Sequence, residues 1–132
     1  MEAGRSRTES NRLEMITLDT IRSMIKRLPG ATEAPSYGTP GFKVRKKLFA
    51  RLHQKEDAIV VLLNSVEEQQ ELVAKDPMTY YITDHYDGYA AVLVRPTIDE
   101  NEFFSLLEHA WRRVARKVDL QEYELRSPDI SA

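Results

Sequence analysis

The chain has 132 residues, a formal net charge of −2 and no cysteine. This length is typical of a single domain that buries enough apolar surface to need no disulfide or metal. The absence of cysteine excludes a disulfide scaffold, a thiolate zinc site, an iron–sulfur cluster and a cysteine nucleophile. No apolar run approaches the roughly 20 residues that span a bilayer. We therefore expect a cytoplasmic protein that makes no membrane contact.

The two ends of the chain are polar, and the apolar periodicity lies between them. Residues 1–15 are rich in Arg, Ser, Thr and Glu, which is typical of a disordered leader. Residues 121–132 turn polar again and contain Ser127-Pro128, a pair that does not continue a helix. We predict a folded domain over residues 16–120, preceded by a leader and followed by a polar tail.

The first predicted element is a helix over residues 18–28, where apolar residues recur at helical spacing. Thr17 is a suitable N-cap, and a Pro-Gly pair ends the pattern. Residues 31–41 are dense in Pro, Gly, Thr and Ser, which predicts a loop with a short extended piece. Residues 42–52 then predict two short strands around a turn near Arg45-Lys46.

The middle of the chain predicts a buried strand, a helix and a hairpin. Residues 58–63 are continuously apolar, which suits a strand buried on both faces. A polar helix follows over residues 66–75 and is ended by Asp76-Pro77. Residues 79–83 and 89–95 are rich in β-branched and aromatic residues and flank an Asp-Gly pair, a pattern typical of a hairpin.

The last predicted element is a helix over residues 99–117, with Asp99 as its N-cap and Glu102 at the capping-box position. Its buried stripe is predicted to contain Phe103, Leu107, Ala110 and Val114, widened by Leu106 and Trp111. The element order therefore predicts an α+β sandwich, in which an antiparallel sheet packs against the N- and C-terminal helices.

Three segments resemble the opening and the central motif of the MmcQ/YjbR family. They are Leu28-Pro29-Gly30-Ala31-Thr32-Glu33, Gly38-Thr39-Pro40-Gly41-Phe42-Lys43-Val44 and Lys47-Leu48-Phe49-Ala50-Arg51-Leu52. The later Gly88-Tyr89 pair and the helix after Asp99 follow in the same order as in the family. The resemblance implies a double-wing domain with a frataxin-like fold. Members are usually described as candidate DNA-binding proteins without an established enzymatic activity.

The candidate nucleic-acid-binding residues are cations in two segments. Closely spaced cations bind nucleic acid because each neutralised phosphate releases condensed counterions. The candidates are Lys43, Arg45, Lys46, Lys47, Arg51, Arg112, Arg113 and Arg116. The first five lie in a stretch without any acidic residue, and the other three lie near the end of the terminal helix. Exposed basic strands also prevent edge pairing, and cations at a helix C-terminus also favour the helix dipole.

A second hypothesis is a protein-interaction or small-ligand module with no nucleic-acid role. Its pocket would lie between the Pro/Gly-rich loop and the sheet, where aromatic side chains provide an apolar lining. The candidate lining residues are Tyr37, Phe42, Tyr89 and Trp111. Binding to such a pocket would tolerate salt, whereas binding of DNA to the basic segment would weaken with salt.

The remaining motifs predict no further chemistry. Asp84, His85 and Asp87 offer atoms that ligate metals, but Asp and Gly also satisfy the backbone of a tight turn. The first helix contains Asp19 as its single acid, so the iron binding of acidic frataxin helices does not transfer. No triad or nucleotide-binding glycine motif is present. We expect no catalytic residue, no metal and no cofactor, partners that are DNA or a protein, and a monomer or weak dimer.

Overall fold

The structure, a computed structural model, describes residues 15–126. The predicted leader over residues 1–15 lies outside this range except for Met15, and so does the end of the predicted tail. The elements in chain order are α1 (Leu18–Ile25), β1 (Ala31–Ser36), β2 (Thr39–Val44), β3 (Lys47–Leu52), β4 (Ile59–Leu62), α2 (Val66–Lys75), β5 (Tyr80–Tyr81), a 3-10 turn (Asp84–Tyr86), β6 (Ala91–Val94), α3 (Glu100–Val114) and α4 (Lys117–Arg126).

The strands form one antiparallel sheet in the order β1-β2-β3-β4-β6-β5. One face of the sheet packs with α1 and α3 in the main core, which includes Ile21, Phe42, Val61 and Leu107. The opposite side, which carries Val60, is the outer face of the sheet and holds a smaller apolar cluster. The predicted α+β fold, with an antiparallel sheet packed against helices from both ends of the domain, is confirmed.

The first helix begins where the sequence predicts and ends earlier. Thr17 caps α1, because its side-chain oxygen accepts the amide hydrogen of Thr20 at 3.1 Å. The last residues of the predicted helix tighten into a turn, since the amides of Arg27 and Leu28 donate to carbonyls only three residues back. Leu28 nevertheless stays buried in the main core. The predicted apolar pattern is therefore correct even for Leu28, which follows the end of the regular helix.

The sequence predicts a loop with a short extended piece over residues 31–41, but the extended part is much longer, because this segment forms most of a β-hairpin. β1 and β2 pair in continuous antiparallel register from Ala31 opposite Val44 to Ser36 opposite Thr39. The connection is the two-residue turn Tyr37-Gly38, in which both residues have positive φ, 53° and 81°. Such turns match the right-handed twist of the paired strands, so the Pro- and Gly-rich composition is compatible with a hairpin.

The second predicted hairpin has the right strands and a different connection. β5 and β6 are antiparallel neighbours, with Tyr80 opposite Val94. The Asp-Gly pair does not close them tightly, because residues 84–86 first form the 3-10 turn. The longer connection is held by the buried Gln69 of α2, whose side-chain nitrogen lies 2.9, 2.8 and 2.7 Å from the carbonyl oxygens of Tyr86, Tyr89 and Ala91, so its two hydrogens are shared among three acceptors.

The C-terminal end of the domain differs from the prediction. The helix predicted over residues 99–117 ends at Val114, and Ala115 is extended. The next helix, α4, continues to Arg126 and so occupies part of the predicted polar tail. Tyr123 of α4 packs edge-on against Trp111, with ring centroids 5.0 Å apart. This buried contact makes α4 part of the domain although its sequence is mostly polar.

Helix α3 is amphipathic. The buried stripe of α3 contains Phe103, Leu107, Ala110 and Val114, as predicted. Within residues 15–126, no helix is both long and apolar enough to cross a membrane.

Candidate functional site

The outer face of the sheet gathers side chains from its central strands. Lys43 of β2 points away from the main core because its neighbours Phe42 and Val44 lie in that core. Arg51 of β3 shares this side, since it stands opposite Val60 of β4 in the strand register. Strand alternation therefore directs two of the predicted cations to the face that the main helices leave uncovered.

An open groove lies on this face, where the β1–β2 turn, the end of β3 and the 3-10 turn meet. Its volume is about 730 Å³. The residues that line it are Tyr37, Arg51, His53, Gln54, Lys55, Glu56, Thr83, His85 and Tyr86. We call this the outer groove. It combines aromatic rings with cations and contains one carboxylate, that of Glu56.

Arg51 is the central cation of the outer groove. Its guanidinium donates hydrogen bonds to the hydroxyl of Tyr86 and, at 3.2 Å, to the carbonyl of Leu52. The same guanidinium lies 5.4 Å from the ring centroid of Tyr37. None of the ion pairs formed among residues 15–126 involves Arg51. Its charge is therefore oriented by a phenol and an aromatic ring, and it keeps its capacity to pair with an anion.

His53 contributes a neutral ring with a defined tautomer. Its Nδ1 accepts the backbone amides of Lys55 and Glu56 at 3.0 and 2.9 Å. The neutral ring must therefore carry its proton on Nε2. Partial burial lowers the pKa of His53 below its ordinary value, and the nearby charge of Arg51 lowers it further. At neutral pH the imidazole is thus a hydrogen-bond donor through Nε2 and carries no charge.

Aromatic rings form the side of the groove contributed by the connection between β5 and β6. The ring of His85 stands edge-on to Tyr86 at 4.9 Å and lies roughly parallel to Tyr89 at 6.0 Å. Tyr89 is 60% exposed, and Tyr37 on the opposite side is 80% exposed. Their exposed rings at two edges of one groove can stack on a planar ligand, so both tyrosines are candidate contact residues.

The cations of the basic segment do not converge as a group. Lys43 and Arg51 share the outer face, whereas Lys47 stands opposite Val44 on the side of the main core. Arg45 and Lys46 form the turn between β2 and β3. A β-bulge after Phe42 also shifts the register. The turn that the sequence predicted therefore breaks the strand parity and leaves two of the five cations on one face.

The predicted helix cations lie on the opposite side of the sheet. Arg112 pairs with Glu108 at 3.2 Å, and Arg116 forms a two-pronged ion pair with Asp119. Arg113 is exposed near the end of α3. Since α3 packs on the main-core face, these side chains and the outer groove do not form one surface. The structure separates the two halves of the predicted nucleic-acid surface.

The predicted pocket grouping requires a correction. Phe42 and Trp111 are completely buried in the main core, so neither lines a pocket. The indole nitrogen of Trp111 donates to the carbonyl of Pro29 at 2.9 Å, which satisfies its polar atom inside the fold. Of the four predicted lining residues, Tyr37 lines the outer groove, and Tyr89 stacks on His85 at its edge. The sequence did not distinguish the two buried aromatic residues from the two exposed ones, because both kinds occur in similar local patterns.

A second polar cluster lies between α2 and α3. Glu68 accepts the amide of Asn64 at 2.9 Å and contacts the Nε2 atom of His109 at 3.0 Å. Partial burial would raise the pKa of Glu68, but these hydrogen bonds hold it below its ordinary value. The adjoining cleft measures about 270 Å³ and contains Leu72 and Leu106. The cluster has the character of a helix-to-helix contact, because each polar atom is satisfied by its neighbours.

The turn with Asp84, His85 and Asp87 contains side chains that could ligate a metal, but they do not converge on one point among the described residues. Asp84 and Asp87 are exposed, and His85 is oriented by its aromatic neighbours. Within the described residues, no group of three or more acidic, histidine or cysteine side chains is placed to hold a metal ion.

The fold and the outer groove define a small α+β domain with helices on one face of an antiparallel sheet and an open groove on the other. The sequence profile of the YjbR family matches residues 26–113, and the chain belongs to that family. The resemblance to the MmcQ/YjbR family that the sequence motifs indicate is thereby confirmed.

Similar chains occur in mycobacteria and in Deinococcus radiodurans. Uncharacterised proteins of Mycobacterium tuberculosis and Mycobacterium bovis are each 40% identical to this chain over 53 residues. The matched part is 39% of this chain and 41% of each relative, so it spans less than half of their length. The crystal structure of the Deinococcus radiodurans protein DR2400, with a DUF419 domain, has a TM-score of 0.66 at 22% identity. The match covers 84% of this chain and 90% of that one, which shows the shared fold.

Proposed function

We propose that the domain is a non-catalytic DNA-binding module that uses the outer groove. The observation that supports this proposal is the position of Arg51, a cation without a carboxylate partner among the described residues, beside the exposed ring of Tyr37. Cations beside exposed aromatic rings are the combination that nucleic-acid grooves use, because cations neutralise phosphates while rings stack on bases.

The charge of the proposed surface is local. The chain as a whole carries a net charge of −2, so the overall field does not attract DNA. Arg51 and Lys55 line the groove, and Lys43 extends the same face along β2. Glu56 reduces this positive charge, although it also accepts the hydroxyl of Tyr81 at 2.8 Å. We therefore expect affinity from a few phosphate contacts and from stacking, with a modest salt dependence.

The first test is fluorescence anisotropy with labelled DNA across a salt series. Each phosphate contact on a single strand contributes a slope of about −0.7 in log K against log salt. Two contacts, from Arg51 and Lys55, therefore predict a slope of about −1.4. The double variant Arg51→Gln/Lys55→Ala should bind at least about tenfold more weakly, a loss of about 1.4 kcal/mol.

A matched control removes the same charge from the other side of the sheet. Arg113 and Lys117 are exposed near the junction of α3 and α4. The double variant Arg113→Gln/Lys117→Ala should keep the affinity of the natural chain within about twofold, because these cations lie away from the groove. Equal weakening in both variants would show a diffuse charge effect, and the absence of binding at low salt would reject DNA as the ligand.

The groove also supports a second candidate, a small-ligand module. Its volume of about 730 Å³ lies in the range of small-ligand sites. A small planar anion would use the same Arg51 and Tyr37 contacts. The two functions differ in how affinity depends on ligand length: a small-ligand site binds a mononucleotide as tightly as an oligonucleotide, whereas a DNA groove gains affinity as the strand lengthens.

A further inference from the structure

Tyr37 occupies a backbone position that disfavours it. It is the first residue of the β1–β2 turn and has a φ of 53°, followed by Gly38 at 81°. Turns with positive φ at both central positions strongly favour Asn, Asp or Gly at the first one. A tyrosine there is strained by its Cβ atom. Burial does not compensate, because 80% of the side chain is exposed.

The surroundings of Tyr37 suit a planar ligand. The guanidinium of Arg51 lies 5.4 Å from the ring centroid, and strand β3 places this cation on the floor of the groove. Across the groove, the parallel pair of His85 and Tyr89 provides a second exposed aromatic surface. The groove therefore has aromatic rings on two sides and cations between them. Arg45 of the next turn also has a positive φ, 59°, so what distinguishes Tyr37 is its exposed ring beside the Arg51 guanidinium at the groove.

We propose that the outer groove binds single-stranded DNA, with an unpaired base stacked on Tyr37 and the adjoining phosphate paired with Arg51. This inference rests on the proposed DNA-binding function and adds the strand class and the stacking residue. In a duplex both faces of each base are covered by neighbouring bases, so an aromatic ring gains no stacking contact without extruding the base. In a single strand every base offers a free face.

Lys55 and His53 complete this assignment. Lys55 supplies a second cation on the same groove and can pair with the next phosphate along the strand. His53 lines the groove as a neutral donor through Nε2, since its Nδ1 is occupied by two backbone amides. A neutral donor suits a base edge or a sugar oxygen better than it suits a phosphate. The groove thus has separate groups for stacking, for phosphates and for polar base or sugar atoms.

The test compares single-stranded and duplex DNA of equal length with two variants of Tyr37. Tyr37→Leu removes the ring and should weaken single-strand binding about 5- to 150-fold, the range for one stacked base. Tyr37→Phe keeps the ring and should bind within about twofold of the natural chain. Tyr37→Leu should leave the salt slope unchanged, whereas Arg51→Gln should reduce its magnitude by about 0.7 because a phosphate contact is lost.

A third variant separates binding from folding. Tyr37→Asn creates Asn-Gly, the pair that this turn type prefers, so the thermal midpoint should rise while single-strand binding falls. Equal affinity for both kinds of DNA, together with unchanged binding by Tyr37→Leu, overturns the stacking inference and leaves the proposed function intact. Tighter binding to duplex than to single strands also overturns the inference. No binding of either DNA rejects the proposed function as well.

Discussion

Gln69 links helix α2 to the connection between β5 and β6, which contributes Tyr86 to the outer groove. It is 2% exposed, and its side-chain nitrogen shares two hydrogens among three carbonyls on the segment that positions Tyr86 and Tyr89. The carbonyl of Tyr86 also accepts the amide of Tyr89, and that of Tyr89 accepts the amide of Ala91, so both keep one partner without Gln69. The glutamine is therefore a clamp on the connection between β5 and β6.

Replacing Gln69 by leucine should lower the free energy of unfolding by about 2 kcal/mol, because buried carbonyls lose a donor. Chemical denaturation of purified protein measures this change. Gln70 provides a matched control, since it follows on the same helix and is exposed. Gln70→Leu should change stability by less than about 0.5 kcal/mol. A loss for Gln69→Leu no greater than for Gln70→Leu would contradict the clamp.

Helix α4 shows how a polar segment joins the fold through two contacts. Its Asp119 is 2% exposed and accepts the backbone amide of Arg116 at 2.9 Å and the guanidinium of the same residue. The backbone at Gly30, with φ of 80°, passes so close that an added Cβ would lie 2.6 Å from the carboxylate. Together with Tyr123 against Trp111, this contact fixes α4 beside the turn after α1.

Asp119 gives α4 a testable dependence on pH. The hydrogen bond from Arg116 holds the pKa of Asp119 below its ordinary value of 3.8. The unfolded chain therefore binds this proton at a higher pH than the folded chain does, and acid removes the stabilisation. Asp119→Asn should cost about 2 kcal/mol at neutral pH. The difference from the natural chain should shrink as the pH falls below 3.8.

Urea titrations at several pH values measure this difference, with Asp19→Asn as the control. The side chain of Asp19 is 93% exposed in its contact with Arg22, so its replacement should cost little at any pH. A cost for Asp119→Asn that stays constant down to strongly acidic pH would contradict the assigned ion pair.

The strongly patterned elements were predictable from the sequence, and the ones defined by single contacts were not. The helix at Val66–Lys75 and the stripe around Leu107 have clear apolar or capping signals. The β1–β2 hairpin was missed because its turn uses Tyr37-Gly38 in place of the usual Asn-Gly. Helix α4 was missed because its buried contact depends mainly on Tyr123.

The candidate site was predictable in its residue types and not in its assembly. Sequence placed cations and aromatics in the right strands, but a turn and a bulge decide which of them share a face. The outer groove draws on three separate segments, contributing Tyr37, Arg51 and His85. Such convergence is a tertiary property that spacing along the chain does not encode. The sequence also gave no sign of Gln69, since a glutamine in a polar helix is typical of an exposed position.

The two faces of the sheet are covered unequally across the whole molecule. Of the described residues, 22 buried side chains form the main core between the sheet and the helices. On the outer face, the buried cluster has five, including Tyr86 and Leu93. The connection that carries Tyr86 and Tyr89 therefore has little apolar burial of its own and depends on Gln69. The outer groove therefore lies on the face of the sheet that has the smaller buried cluster.

This asymmetry predicts two classes of amide hydrogen exchange. The amides of Tyr86 and Tyr89 bond only within the connection, so they should exchange through local opening at a lower free energy than those of Val92 and Val94 in β6. Exchange measured by NMR at low denaturant distinguishes the classes. Binding of single-stranded DNA should slow exchange in the connection and leave β6 unchanged, because a ligand stabilises the locally closed state that it contacts. Equal protection of both groups in the free protein would show that the connection opens only with the global fold, and the groove would then be as rigid as the main core.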